Sequence, residues 1–256
     1  MADLHVEIYG EGHPIVMLHG WGMHSGVWRQ FAEELARFYR VICVDLPGHG
    51  RSLSVDAFEL SAVAKKIVGE IGESPCCWLG WSMGGLVALE IAQQFPERVS
   101  ALIFIAANPC FVEREQWSGM NLEVLEAFAE NLIANAPATL MRFLALQLHG
   151  LPEMAPMLKV LKHQVLECSP PSPEVLRSGL TALQQQDLRN VFANLICPVL
   201  GIYGRLDTLV PKTVAKDLAV LLPHCHIEVL PQAGHVPFLS HPQEVVRTIR
   251  AFVPNL

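Results

Sequence analysis

Short apolar runs alternate along the chain with longer stretches in which apolar residues recur every three or four positions. The short runs Pro14–Leu18, Val41–Asp45, Cys76–Gly80, Ala101–Ala106, Val199–Tyr203 and Ile227–Leu230 are the strand candidates. Between them, helical periodicity predicts helices near Trp28–Phe38, Ala62–Ile71, Gly84–Phe95, Thr213–Leu222 and Gln243–Phe252. A strand, a helix and another strand in succession require crossover connections, so the pattern predicts an α/β fold with a mostly parallel central sheet flanked by helices. Leu4–Tyr9 is expected to add an antiparallel edge. The alternation stops between about Asn108 and Asn190, where successive helices rich in Leu, Ala, Met and Glu replace it. Strand character then returns. Residues 108–190 therefore read as a helical cap inserted between two strands of one domain spanning residues 1–256.

Composition supports a compact enzyme. A chain of 256 residues can bury one sizeable core, and 51% hydrophobic against 17% charged residues excludes a disordered chain. A net charge of −7 argues against binding a phosphate backbone, so no nucleic-acid partner is expected. The start, Met-Ala-Asp-Leu-His-Val-Glu, lacks a basic segment followed by an apolar one, and no apolar run reaches the roughly 18 residues that span a bilayer. A soluble, cytoplasmic protein without a membrane partner is the expectation. Of the seven cysteines, Cys43, Cys76, Cys77 and Cys197 lie in or beside apolar runs and read as structural. Cys76 and Cys77 are adjacent, and His224 and His226 have no third ligand nearby, so no metal site is expected.

The most specific local signal is Gly80-Trp81-Ser82-Met83-Gly84, followed by Gly85, between an apolar strand and an amphipathic helix. A serine on a sharp strand-to-helix turn needs small neighbours, and the turn pushes its hydroxyl outward as a nucleophile. At the start of the helix, the Met83 backbone N–H has no helical acceptor and is free to donate to an oxyanion. A serine hydroxyl is a weak nucleophile at neutral pH, so it needs a base and a group that fixes the base's tautomer. In this architecture both lie downstream, acid before histidine, each at the end of a strand. His235, in Leu230-Pro-Gln-Ala-Gly-His-Val-Pro, fits the base; His224, His226 and His241 fit surface or capping roles. The acid follows by elimination. The loop after Ala106 reads Ala-Ala-Asn-Pro-Cys and lacks a carboxylate, whereas the loop after Tyr203 supplies Asp207; Asp187 and Asp217 read as helix-end or surface groups. A second oxyanion donor is expected after the strand Pro14–Leu18, at the backbone N–H of Trp21. His19 precedes that turn and is assigned a structural hydrogen bond. The segment Asp45-Leu-Pro-Gly-His-Gly-Arg-Ser52 is assigned to architecture.

Together with His19-Gly20-Trp21 and Gly204-Arg-Leu-Asp207, these segments resemble the α/β-hydrolase superfamily over nearly the whole chain. A serine at position 82 separates the chain from haloalkane dehalogenases and epoxide hydrolases, which place aspartate there. A closer resemblance is to the biotin-pathway carboxylesterases, the pimeloyl-[acyl-carrier protein] methyl ester esterases. Leu18-His-Gly-Trp-Gly22, Trp78-Leu-Gly-Trp-Ser82, Asn108-Pro-Cys-Phe111 and, in the cap, Arg142-Phe-Leu-Ala-Leu-Gln147 carry it. The resemblance implies substrate contacts at Trp21, Ser82, Met83, Phe143, Leu144, Ala145, Leu146, Gln147 and His235. It also implies hydrolysis of a methyl ester on an acyl-carrier protein, with small esters as further substrates, no cofactor, and a monomer.

A carrier protein is acidic, so a chain of charge −7 must offer it a local basic surface. Glu113 to Glu130 carries five glutamates against Arg114, whereas Asn131 to Leu166 carries Arg142, Lys159 and Lys162 against Glu153. Those three cations are the candidate docking residues, with Lys159 and Lys162 on one helix face. Two alternatives stay open. A general short-chain carboxylesterase or carbon–carbon bond hydrolase would prefer short acyl groups, and a slow ligand-binding protein would bind small molecules without turnover.

Overall fold

The computed structural model describes residues 3–72, 75–152 and 154–253, so Glu153, Met1 and Ala2 lie outside the described residues. Among the described residues, seven strands form one sheet: β1 Val6–Tyr9, β2 Pro14–Leu18, β3 Arg40–Val44, β4 Cys76–Trp81, β5 Val99–Ile105, β6 Val199–Gly204 and β7 His226–Leu230. Their order is β1-β3-β2-β4-β5-β6-β7, with β1 antiparallel to β3 and every other pairing parallel. His226 thus opens β7 while His224 precedes the strand.

The helices packed around the sheet are α1 Arg29–Leu35, α2 Leu60–Ile71, α3 Met83–Gln94, α8 Arg189–Ala193, α9 Thr213–Leu221, α10 Pro237–Ser240 and α11 Pro242–Phe252. Four more, α4 Leu122–Ala134, α5 Ala136–Gln147, α6 Met154–Val165 and α7 Pro173–Gln185, lie between β5 and the α8–β6 segment, although β5 and β6 are hydrogen-bonded neighbours. Among the described residues, no helix is long and apolar enough to cross a membrane.

Alternation along each strand divides the core in two. Val16 and Leu18 of β2 join Ile42, Val44 and Trp78 beneath α2 and α3, while Ile15 and Met17 join Val41, Cys43 and Leu79 beneath α1 and α11. Burying side chains of this size contributes about 1.5–3 kcal/mol each, and β4 is buried at every position because helices cover both its faces. The strand that leads into Ser82 is therefore confined along its whole length, as β6 is.

A second buried network holds the loops at the carboxyl ends of the strands. The His19 ring donates from Nδ1 to the Gly20 carbonyl and accepts the Leu46 N–H at Nε2, both at 2.9 Å. This is the structural hydrogen bonding expected of His19, and it requires the neutral ring. Asp45 accepts the N–H groups of Ser25 and Arg51, and the Ser52 hydroxyl donates to the Asp45 carbonyl at 2.6 Å. Burial works against its charge, but His19 and these donors outweigh it and leave the Asp45 carboxyl below its usual range. Burial, and then the neighbouring His49, hold His19 far below its ordinary value. Burial lowers His49 to about 4, although its hydrogen bond to the Pro47 carbonyl favours the charged ring.

These buried rings predict an acid-side loss of stability. In the unfolded chain a histidine takes up a proton below about pH 6.5, whereas folded His49 stays neutral down to about 4. The unfolded state thus binds more protons throughout that window, and stability falls as pH drops through it. The urea midpoint is expected to decrease steadily from pH 7 to pH 4; an unchanged midpoint would contradict the neutral buried rings.

Candidate active site

Ser82 stands between β4 and α3 at φ 53° and ψ −121°, a strained conformation for a residue with a Cβ. Two glycines make this turn possible. A Cβ at Gly80 would meet the Gly84 carbonyl oxygen, and one at Gly84 would meet the carbonyl oxygens of Leu18 and His19, so any side chain would force β4, α3 and the β2 loop apart. The Ser82 N–H is bonded to the Ile105 carbonyl at 3.0 Å, which ties the turn to the end of β5.

The loop after β7 brings His235 to the same place. Its Nδ1 lies 2.8 Å from Oδ2 of Asp207, and both side chains are nearly inaccessible to water. The other carboxylate oxygen of Asp207 accepts the N–H groups of Leu209 and Val210 at 2.8 and 2.9 Å, which fixes the acid on the loop after β6. The His235 backbone is held as well. Its N–H donates to the Gln147 carbonyl at 3.3 Å, and its carbonyl accepts the Trp81 indole N–H at 2.9 Å. Nε2 of His235 is left without a hydrogen-bond partner, and His235 and Ser82 line one cavity.

That cavity lies between the sheet and the cap helices. Trp21, Phe111, Met120, Val124, Leu125, Phe128, Phe143, Leu146, Leu180, Leu183 and Leu209 complete its wall, all of them apolar. Trp21, Phe128 and Phe143 meet edge to face, with ring centres 5.1–5.7 Å apart. Val124 and Leu146 are partly exposed and mark the rim.

The cap contacts expected at residues 143–147 divide in two. Phe143 and Leu146 line the cavity, and Gln147 is buried beside them with its carbonyl on His235 and no partner for its side-chain amide. Leu144, fully buried, packs instead into the core cluster of Trp28 and Leu79, and Ala145 is half-buried away from the cavity wall. Consecutive helical residues are turned by about 100°, so five in a row cannot face one cavity.

Trp21 and Met83 are both buried. Met83 is the first residue of α3, where an N–H has no intrahelical acceptor. The Gly20–Trp21 turn lies against Ser82, since a Cβ at Gly20 would sit 3.3 Å from that of Ser82.

The remaining candidates lie elsewhere. Asp187 pairs with Arg189, and Asp217 accepts the Ser118 N–H at 2.8 Å, so Asp217 anchors the loop carrying Phe111 and Met120 rather than standing free on the surface. Arg142 and Lys159 are exposed and Lys162 is half-buried. None of the three has an ion pair among the described residues, whereas Arg29 grips Glu167 through two hydrogen bonds of 2.8 and 2.7 Å. His226 packs edge-on against Phe252, and His241 precedes α11. The lining residues Phe128, Leu180 and Leu183 carried a signal in their helical spacing, but that spacing marks an inward face without separating core from cavity.

The sequence profile described as the alpha/beta hydrolase fold matches residues 13–242. The chain belongs to the α/β-hydrolase family. Among curated proteins, this hydrolase is 41% identical over 251 residues to the "Pimeloyl-[acyl-carrier protein] methyl ester esterase" of Vibrio campbellii, covering 98% of each chain. It is 42% identical over 254 residues to the protein of the same name from Vibrio parahaemolyticus, covering 99% of each. Among solved structures, it superposes on an esterase from Exiguobacterium antarcticum with a TM-score of 0.88 at 25% identity, over 98% of this chain and 95% of the other.

Replacing Asp207 by Asn keeps the acceptor for Leu209 and Val210 but removes the charge that holds the His235 tautomer. The kcat on a soluble p-nitrophenyl ester should fall about ten-thousandfold, with little change in melting temperature. Retention of most activity would remove Asp207 from the triad.

Proposed function

We propose that this hydrolase is a serine carboxylesterase that removes the methyl group from pimeloyl acyl-carrier-protein methyl ester in the biotin pathway. One observation carries the chemistry: Ser82 and His235 open together into a cavity otherwise lined by apolar side chains. Such a wall favours a neutral alkyl chain with one reactive carbonyl and strengthens the few dipoles aimed at it. Similarity over nearly the full length to proteins named as these esterases supports the substrate.

In this reading Ser82 Oγ attacks the ester carbonyl carbon as its proton passes to Nε2 of His235. The oxyanion is held by the backbone N–H groups of Trp21 and Met83 at the end of α3, whose dipole also favours negative charge there. Collapse breaks the bond to the methoxy oxygen, which takes the proton from Nε2 and leaves as methanol. Water then gives a proton to Nε2 and attacks the acyl-enzyme. The second oxyanion collapses, the proton returns to Ser82 Oγ, and the pimeloyl group departs with a free carboxyl. Asp207 keeps Nδ1–H in place and stabilises the imidazolium in both halves.

The acyl chain runs from Ser82 past Phe143 to the rim at Leu146, and the carrier remains outside. Arg142, one helical turn before Leu146 and the sole charged residue of α5, stands beside that rim, and with Lys159 and Lys162 it forms the docking surface for an acidic carrier. The protein acts in the cytoplasm as a monomer without a cofactor.

Two experiments test this. Expression of the chain in a biotin-requiring strain that lacks its own esterase should restore growth, with Ser82→Ala as the inactive control; no rescue by the wild type counts against the pathway. In vitro, Arg142→Glu combined with Lys162→Glu should lower the rate on the carrier-bound ester at least tenfold relative to the rate on a soluble methyl ester. An unchanged ratio sinks the docking surface.

A further inference from the structure

Gly179 stands in the middle of α7, where glycine costs a helix about 1 kcal/mol relative to alanine. Nothing in the local sequence, Leu-Arg-Ser-Gly-Leu-Thr-Ala, calls for a break, and the helix runs straight through it. The reason lies across the packing interface. A Cβ at Gly179 would come 2.9 Å from Cδ1 and 3.2 Å from Nε1 of Trp21, and 3.5 Å from Sδ of Met83. One turn earlier on the same face, the Leu176 carbonyl accepts the Trp21 indole N–H at 2.8 Å. One bare spot on α7 thus rests against the side chains of the two residues whose N–H groups were assigned to the oxyanion.

We propose that Gly179, together with the Leu176 carbonyl, is a positioning element of the oxyanion hole. It holds Trp21 at its working distance from Met83. The inference rests on the donor assignment made above and deepens it. The Trp21 ring is packed against Phe128 and Phe143, with ring centres 5.7 and 5.1 Å away, and tied to the Leu176 carbonyl, so it has little room to swing clear of a methyl group on α7. To restore ordinary contact the 2.9 Å approach must open by about 0.5 Å. That equals the tolerance within which a catalytic constellation has to be held. Because the ring is blocked, the displacement passes to the Trp21 backbone, which carries the donor. The cap then takes part in catalysis: α7 sets one oxyanion donor, while α5 holds the base through the Gln147 carbonyl.

Gly179→Ala tests the role, because alanine improves the helix while pushing on Trp21. On p-nitrophenyl butyrate its kcat should fall 10- to 100-fold with KM within about twofold, less than the loss of a whole oxyanion donor. Affinity for a trifluoromethyl ketone, whose adduct with serine carries an oxyanion, should fall by the same factor. Trp21→Phe keeps the backbone N–H and an aromatic ring but deletes the bond to Leu176, and should lower kcat about 3- to 10-fold. Gly69→Ala, on the exposed face of α2 with open space around it, is the control and should keep wild-type kinetics. Wild-type kcat in Gly179→Ala, or a loss of kcat with unaltered inhibitor affinity, overturns the positioning role. Should Gly179→Ala not fold, unchanged kcat in Trp21→Phe overturns it instead. A wild-type enzyme inactive on every ester would strike the esterase reading itself, which is a separate outcome.

Discussion

Ser82 keeps a backbone conformation that a residue with a Cβ avoids, at a cost of order 1–3 kcal/mol, and the surrounding packing must supply that energy. It does so through contact between backbones. β4, α3 and the end of β2 approach so closely at Gly80 and Gly84 that no side chain fits between them, and the Ser82 N–H is tied to β5. The two core layers hold these elements together, so the geometry of one hydroxyl depends on the burial of the entire sheet. Ser82 thus stands at the end of the central strand, buried on both faces, while Asp207 and His235 ride on loops at the same end of the sheet.

Around that fixed point the site is assembled by hydrogen bonds to backbone. Asp207 uses one oxygen to secure its own loop and the other to orient His235. His235 is restrained at Nδ1, at its N–H and at its carbonyl, which leaves Nε2 as the ring atom without a partner among the described residues. Behind it, the neutral rings of His19 and His49 and the carboxylate of Asp45 brace the loops after β2 and β3 without entering the cavity. Most of these groups bond to main chain that cannot be substituted, although Nε2 of His49 has no partner among the described residues.

The helices between β5 and β6, with the loop before them, supply nearly all of the cavity's apolar wall, and they also bond directly to Trp21 and His235. Trp21 gives its indole N–H to α7, and His235 gives its backbone N–H to the last residue of α5. These helices therefore hold Trp21 and His235 in place as well as lining the cavity.

Much of this was legible in the linear order of residues. The strands, the helices that cross between them and the antiparallel edge followed from hydrophobic period, because burial on one or two faces imposes that period directly. That Ser82, Asp207 and His235 come together was expected from their places at strand ends, and the glycines that the strained turn requires are visible in their spacing. Other features depended on distances between segments far apart in the chain. The sequence could not show that Leu144 and Ala145 turn away from the cavity while Phe143 and Leu146 face it, since that depends on how α5 is rotated against the sheet. Asp217 looked like a surface carboxylate until the fold placed Ser118 beside it. Gly179 carries no reason of its own in the sequence, where a glycine only weakens a helix. Only packing against Trp21 and Met83 gives the missing side chain a reason, because an absent Cβ carries no signal of what has moved into its space.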